Sequence, residues 1–555
     1  MAISFLVGVL AIVPLLFFVI PFALIGVLRL WGWFLQSGTR DRRHAIYQQM
    51  KRELKATEEK RKQFQDAEDD WEKVESTSGT APNGDVSGND WEGIIGFFHP
   101  FCNAGGGGER VLWAAIAATQ RQWPNAICAV YTGDHEIDKS AIVAKVKDRF
   151  GIMLREETLT FIYLTTRHFV LANNYPYFTL LGQSLGSLVL AWDAFHLLVP
   201  DIFIDTMGYA FAVAFCKYLF PTVPTAAYVH YPTISTDMLS SLDDTTGTKG
   251  IHSGGGAGLK GQLKRRYWHL FAALYGWVGR QIDVVMCNST WTANHINRLW
   301  APQTILPSAT TPSTDKHPDT VATTIYPPCP VESLIDRIPL TPTTSSTRSQ
   351  ANIILYIAQF RPEKNHSLVL RAFARYAHSG SPGAAAAKLV MIGSVRANTP
   401  DERHIYALRI EARELHVNDQ TTFICDAPFS VIEEYLGKAS VGVNAMYAEH
   451  FGIGNVEGLA AGLIPVVHRS GGPWLDIVVP WEGKDIGFHA ETEEEFAEGF
   501  AKVAALDEGE SYEMRKRGRE STRRFGEEVF REGWCGQMSR LVEMRKRWTK
   551  GLMRA

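Results

Sequence analysis

Two glutamates, Glu449 and Glu457, stand with seven residues between them, and the interval holds Phe451, Gly452, Ile453 and Gly454. Arg361 and Lys364 stand three residues apart at the end of an apolar run, and His230 closes another. Four consecutive glycines, Gly105, Gly106, Gly107 and Gly108, precede Glu109 and Arg110. Each group suits an anionic or polar ligand. An arginine grips two oxygens of a diphosphate while a lysine acts as a point charge. Glycines at a strand-to-helix turn present backbone N–H groups to phosphate. The glycine run is not a Walker loop, because no Gly-Lys-Ser/Thr follows. It is not the dinucleotide fingerprint either, because Arg110 occupies the place of the third glycine. For the two glutamates, two readings stay open. The helix dipole favours carboxylates around a helix start, and glycines between them let a backbone approach a ligand.

The elements that must carry these residues read as alternating strands and helices. Val441 to Ala445 ends an apolar strand, Val456 to Leu463 is a small-residue helix, and Ile464 to Val467 is the next strand. That is a βαβ unit with its polar groups at the carboxyl end of a strand, where open α/β sheets bind ligands. Ile94 to Phe98 reads as a strand before the glycine run. Ala226 to Val229 reads as one before His230, Asp283 to Ser289 as a strand and turn, and Ile353 to Ala358 as one before Arg361. Residues 169 to 220 are strongly apolar but carry Asp193, His196, Asp201, Asp205 and Lys217. Buried helices around Ile202 to Ile204 fit them better than a membrane span.

The 555-residue chain has room for two or three domains. Its net charge of −3 argues against a general nucleic-acid binder. Its seven cysteines form no CxxC pair, which favours reduced thiols facing the cytosol. Residues 3 to 28 carry no charge, and the apolar run continues past Arg29 to Leu35. About 20 apolar residues span a bilayer. No Lys or Arg precedes the run, which favours an uncleaved anchor over a signal peptide. Arg40, Arg42, Arg43, Lys51, Arg52 and Lys55 follow it and place the bulk of the protein in the cytosol. Two N-glycosylation sequons, at Asn288 and Asn365, are then expected to stay bare. The expected organisation is an anchor at 1–35, a charged stalk and linker at 36–90, domains at 91–340 and 341–530, and a basic tail at 531–555. Residues 241–261 are expected to be disordered, and Ser/Thr/Pro-rich stretches at 307–320 and 340–350 to be linker or insertion.

Glu449, Glu457, the Phe451-Gly452 between them, and Gly458, Gly462 and Pro465 after them resemble the E-x7-E signature of retaining GT-B glycosyltransferases of the glycogen-synthase-like superfamily. The likeness covers roughly residues 92 to 525. The wording of His99 to Trp113, Tyr228 to Leu239 and Glu449 to Ile453 resembles, more narrowly, the endoplasmic-reticulum α-1,2-mannosyltransferases that act on dolichol-linked oligosaccharide. The resemblance implies a GT-B fold, two Rossmann-like domains facing a cleft. It implies GDP-mannose as donor, Man3GlcNAc2-diphosphodolichol as acceptor and a Man5 product. It also implies residence in the endoplasmic-reticulum membrane with the catalytic domains cytosolic, and other mannosyltransferases of the pathway as partners. By the same resemblance Arg361 and Lys364 hold the diphosphate, Glu457 the ribose and Glu449 the transferred mannose. Phe451, Gly452 and Ile453 line the donor. His230 lies near the acceptor or reacting carbon, and the glycine loop near phosphate or acceptor. No Asp-x-Asp stands at a strand end, so no metal or other cofactor is expected. Two alternatives stay open, a GT-B transferase with another nucleotide sugar and a non-catalytic membrane-anchored subunit.

Overall fold

The computed structural model describes residues 20–68, 90–244, 254–301, 322–396 and 399–552. Two helices come first, α1 (Ile20–Gly38) and α2 (Arg40–Glu68). Among the described residues no helix is long and apolar enough to cross a membrane. The first nineteen residues of the expected anchor lie outside the described residues, as do the 307–320 stretch and most of the 76–90 linker.

The first sheet has seven parallel strands: β1 (Ile94–Phe98), β2 (Ile127–Thr132), β3 (Leu159–Tyr163), β4 (Ile202–Asp205), β5 (Thr225–Val229), β6 (Val284–Cys287) and β7 (Ala322–Thr324). They lie in the order β3-β2-β1-β4-β5-β6-β7. The helices that matter below are α3 (Gly107–Gln122), α4 (Thr179–Leu197), α5 (Ala210–Leu219), α6 (Gly258–Gly279) and α7 (Thr290–Trp300). Every residue of β1, β2 and β4 is buried. A parallel strand covered on both faces reads as a continuous apolar run for that reason. The 169–220 stretch supplies α4, β4 and α5, as its interrupted apolar pattern implied. Gly32 of α1 lies against α5 so closely that a Cβ would stand 2.0 Å from the Leu219 carbonyl oxygen.

The second sheet has six strands: β8 (Ile353–Ile357), β9 (Lys388–Gly393), β10 (Thr421–Cys425), β11 (Val441–Asn444), β12 (Ile464–His468) and β13 (Phe488–Ala490). Their order is β10-β9-β8-β11-β12-β13, again parallel. Helix α8 (Ile453–Ala461) connects β11 to β12, and α9 (Glu527–Leu552) ends the described chain. In the first sheet the order reverses between β1 and β4, and in the second between β8 and β11. Open α/β sheets bind ligands outside the carboxyl ends of strands at such a switch point.

Three expectations need correction. The disorder expected over 241–261 does not extend to its end, because α6 begins at Gly258 and buries Gly261. Residues 340–350 are not linker. Pro342–Ala351 is a helix whose Thr341 side chain accepts a hydrogen bond from the Thr344 N–H, with proline in its first turn. Its Arg348 donates to the carbonyls of Leu436 and Ala439, so a Ser/Thr-rich composition hides a docked helix. The stretch from 531 onward is, over its described residues, no separate tail. Helix α9 crosses back to the first domain and buries Phe530, Trp534, Met538 and Leu541 along one face. Trp534 donates to Thr119 Oγ1 at 2.9 Å, and Arg545 to Asp201 at 2.7 Å. A basic composition concealed an apolar stripe at helical spacing.

Candidate active site

The carboxyl ends of the two sheets face one another across a cleft of about 270 Å³. From the first domain, Gly107, Gly108, His230 and Asn288 line it; from the second, Lys364, Asn444, Glu449, His450, Phe451, Gly452 and Ile453 do. Helices α3 and α8 begin here from opposite sides. A Cβ on Gly107 would stand 2.9 Å from Ile453 Cδ1. Two helix amino termini, each with free N–H groups and positive partial charge, thus converge on one space.

Glu449 sits in the turn between β11 and α8. Lys364 Nζ donates to its Oε2 at 2.5 Å. Burial works to raise the Glu449 carboxyl, but the Lys364 charge and the hydrogen bonds from Lys364 and Asn444 hold it below the usual range. It is therefore an anion at physiological pH. The turn is fixed from below: Gly472 N–H donates to the Glu449 carbonyl at 2.8 Å, and Ala448 N–H to Ser470 Oγ at 2.7 Å. Gly452 has φ +97°, and a Cβ there would lie 2.5 Å from Asn455 Nδ2, so the residue before α8 must be glycine. Lys364 is set by its own backbone, because Tyr356 OH donates to its carbonyl.

His230 follows β5, and its Nε2 pairs with the Thr206 carbonyl at 3.1 Å. A carbonyl only accepts, so Nε2 carries the proton. Burial pushes the imidazole down to about 4, and His99 acts in the same direction. The ring is neutral at pH 7. Asn288 Nδ2 donates to the His230 carbonyl at 2.9 Å, and Thr292 Oγ1 donates to Asn288 Oδ1 at 2.7 Å. The side chain of that sequon is thus buried in use within the fold. The glycine loop is held by Glu109, which accepts from Gly106 N–H and faces His99 Nε2 at 3.6 Å.

Not every candidate reaches the cleft. Gly105 and Gly106 lie behind Gly107 and Gly108. Arg361 is set back, its Nε 3.9 Å from Asp401, a carboxylate that Arg396 also grips. Glu457 is not among the lining residues, and burial pushes its carboxyl up to about 7, against the pull of the Arg110 charge. That raised value has a testable sign. The native state holds the Glu457 proton between the unfolded and folded values, so this group's stabilisation is present at pH 4 and lost as pH rises through 7. Glu457→Gln should stabilise the chain relative to wild type by about 3 kcal/mol at pH 8 and by under about 1 kcal/mol at pH 5. Thermal unfolding at both pH values reads this; equal gaps would count against it.

A family model described as the ALG11 mannosyltransferase N-terminus matches residues 92–300, and one described as glycosyl transferases group 1 matches 342–525. A Neurospora crassa protein named GDP-Man:Man(3)GlcNAc(2)-PP-Dol alpha-1,2-mannosyltransferase is 51% identical over 96% of this chain and 95% of its own length. The chain belongs to this mannosyltransferase family. The Homo sapiens protein of the same name is 41% identical over 81% of this chain and 87% of its own length. Among solved structures, a trehalose 6-phosphate synthase from Burkholderia multivorans (TM-score 0.57, 11% identity, 82% of this chain, 99% of its own) shares the fold. So does a sucrose-phosphate synthase from Thermosynechococcus elongatus (TM-score 0.54, 14% identity, 81% of this chain, 98% of its own). This establishes an α/β GT-B fold with two parallel Rossmann-like sheets.

For this mannosyltransferase family member the sequence reasoning passed over Asn288, Asn444 and His450. Asn288 and Asn444 each stand at the carboxyl end of a strand or just beyond it, the signal that singled out His230. His450, pushed down to about 4 by burial, packs on Tyr231 and Trp291 of the opposite domain, with ring centroids 4.4 and 5.3 Å apart. Its neighbour Glu449 drew the attention that its ring contacts merited.

Proposed function

We propose that the chain transfers mannose from GDP-mannose, with retention and in α-1,2 linkage, to the dolichol-diphosphate-linked oligosaccharide, converting Man3GlcNAc2 to Man5GlcNAc2. One observation carries this reading: a relative whose name specifies that donor and acceptor is matched along 96% of the chain at 51% identity. The site geometry supports the chemistry. Breaking the sugar–phosphate bond leaves negative charge on GDP and positive charge on the sugar carbon. Lys364 and the N–H groups at the start of α8 stabilise the first, with Arg361 set behind them to add charge. The Glu449 carboxylate stabilises the second, as carboxylates do in glycosidases. Lys364 supplies the charge that a divalent cation supplies elsewhere, so transfer proceeds without a metal. His230, neutral, orients the acceptor side; Glu457 contacts the ribose once the donor is in place.

The apolar 1–35 stretch anchors the chain in the endoplasmic-reticulum membrane, and the basic residues from Arg40 to Lys55 keep the two domains on the cytosolic side. Exposed Phe22, Leu24, Leu30 and Trp33 on the described part of α1 support an apolar surroundings for it.

The test is transfer by the detergent-purified full chain from GDP-mannose to a synthetic Man3GlcNAc2-diphosphate lipid, read by mass, with and without a chelator. A gain of two hexoses, unchanged by the chelator, is expected. A gain only with another nucleotide sugar would overturn the donor and keep the site.

A further inference from the structure

The two halves of the cleft belong to different domains, and one carboxylate bridges them. Asp476 lies in a π-helical turn, Pro473–Ile477, and is 3% exposed. Its Oδ2 accepts from the Thr290 N–H at 2.9 Å, at the start of α7 in the first domain. Its Oδ1 accepts from Tyr326 OH at 3.0 Å, where the chain leaves β7 for the second domain. Tyr326, and the residue that follows Thr290, also touch the Glu449 turn. The Tyr326 ring stacks on Phe451 at 5.6 Å, and Trp291, next to Thr290, packs on His450 at 5.3 Å. The π-helical turn itself is joined to that loop by the Gly472 N–H on the Glu449 carbonyl, and a Cβ on Gly471 would stand 2.2 Å from that oxygen. Two residues before Thr290, the Asn288 side chain holds the His230 carbonyl.

We infer that Asp476 is a positioning residue for sugar transfer, a strut that holds the Glu449 turn in register with the His230 and Asn288 side of the cleft. It reaches the reacting atoms only through Tyr326, Thr290 and the backbone of Glu449. Its own hydrogen bonds go to Thr290 and Tyr326, whereas the Lys364 backbone is held by Tyr356. Loss of the strut should therefore leave donor binding intact and misalign donor with acceptor. A misplacement of about 1 Å costs on the order of a hundredfold in rate.

The inference rests on the mannosyltransferase reading, and wild-type transfer tests that reading by itself. Asp476→Asn keeps the shape and one acceptor oxygen; Tyr326→Phe removes one donor and keeps the ring. Three quantities are measured for wild type, each variant and the double variant: GDP affinity, kcat for transfer, and GDP-mannose hydrolysis without transfer. The expected result is unchanged GDP affinity, kcat down about tenfold to a hundredfold, and a transfer-to-hydrolysis ratio that falls with it. Tyr326→Phe should add little on the Asp476→Asn background, because both cut one strut. Should Asp476→Asn not fold, Tyr326→Phe alone decides by the same ratio. A folded variant with wild-type kcat and ratio overturns the inference, as does a loss confined to GDP affinity or strict additivity of the two substitutions.

Discussion

Glu449→Ala is expected to lower mannose transfer by on the order of 10²–10³ while GDP still binds. Among the described residues the carboxylate is the one acid that lines the cleft, and Lys364 holds it ionised at 2.5 Å. Removing it takes away the negative charge nearest the place where positive charge develops on the sugar. It does not take away the amino terminus of α8 or Lys364, to which the proposed function gives the phosphates. GDP affinity should hold or improve, because Lys364 loses a competing anion. Glu449→Gln separates charge from shape: the amide fills the same space and accepts from Lys364, yet carries no charge. Comparable losses in Ala and Gln would show that charge is what matters. Isothermal titration with GDP beside a transfer assay reads both halves. An active Glu449→Gln variant would remove the carboxylate from the chemistry and leave it a structural partner of Lys364.

Lys364→Met should lower kcat/KM for GDP-mannose by on the order of 10²–10³, with both KM raised and kcat lowered. A point charge beside a diphosphate acts in the ground state and more strongly as the bond breaks. Methionine keeps the stem and loses the charge. The second effect is on Glu449, whose depressed carboxyl depends on Lys364 to offset burial. Without the lysine that carboxyl rises, so the acid limb of the pH profile moves toward neutral. The sign is fixed, because a group held below its usual value stays charged further into acid, and losing the cause restores protonation at higher pH. Lys364→Arg should not restore full activity, because the guanidinium is larger and planar while the backbone there is held by Tyr356. Steady-state kinetics across pH 5 to 8 measure this. A Lys364→Met variant with wild-type kcat/KM would transfer the role to Arg361.

Much of this site was legible in the sequence because its parts are local. A glycine run after an apolar strand, a histidine at a strand tip, and two glutamates around a helix start are each read within about a dozen residues. Strand ends in a parallel sheet collect ligands, so listing the polar residues at those ends recovers Gly107, Gly108, His230, Lys364 and Glu449. The same reasoning assigns Arg361 to the diphosphate and Glu457 to the ribose but does not say which way either side chain faces, since direction around a helix or turn is set by packing. Arg361 turns to Asp401, and Glu457 stands outside the lining.

The sequence by itself determined the two α/β domains, the strands that end at the cleft, the glycine at position 452 and the family. Periodicity, strand ends and glycine needs are properties of short stretches, and short stretches carry them unaided. Only the tertiary structure decided that Lys364 pairs with Glu449 and that His450 lies against Tyr231 and Trp291. It alone set the Asp476 bridge from one domain to the other, and the return of α9 to the first sheet. Those are contacts between residues from about 85 to over 400 positions apart. They exist because two separately buried sheets pack with their carboxyl ends opposed, and no local pattern records which side chains that packing brings together.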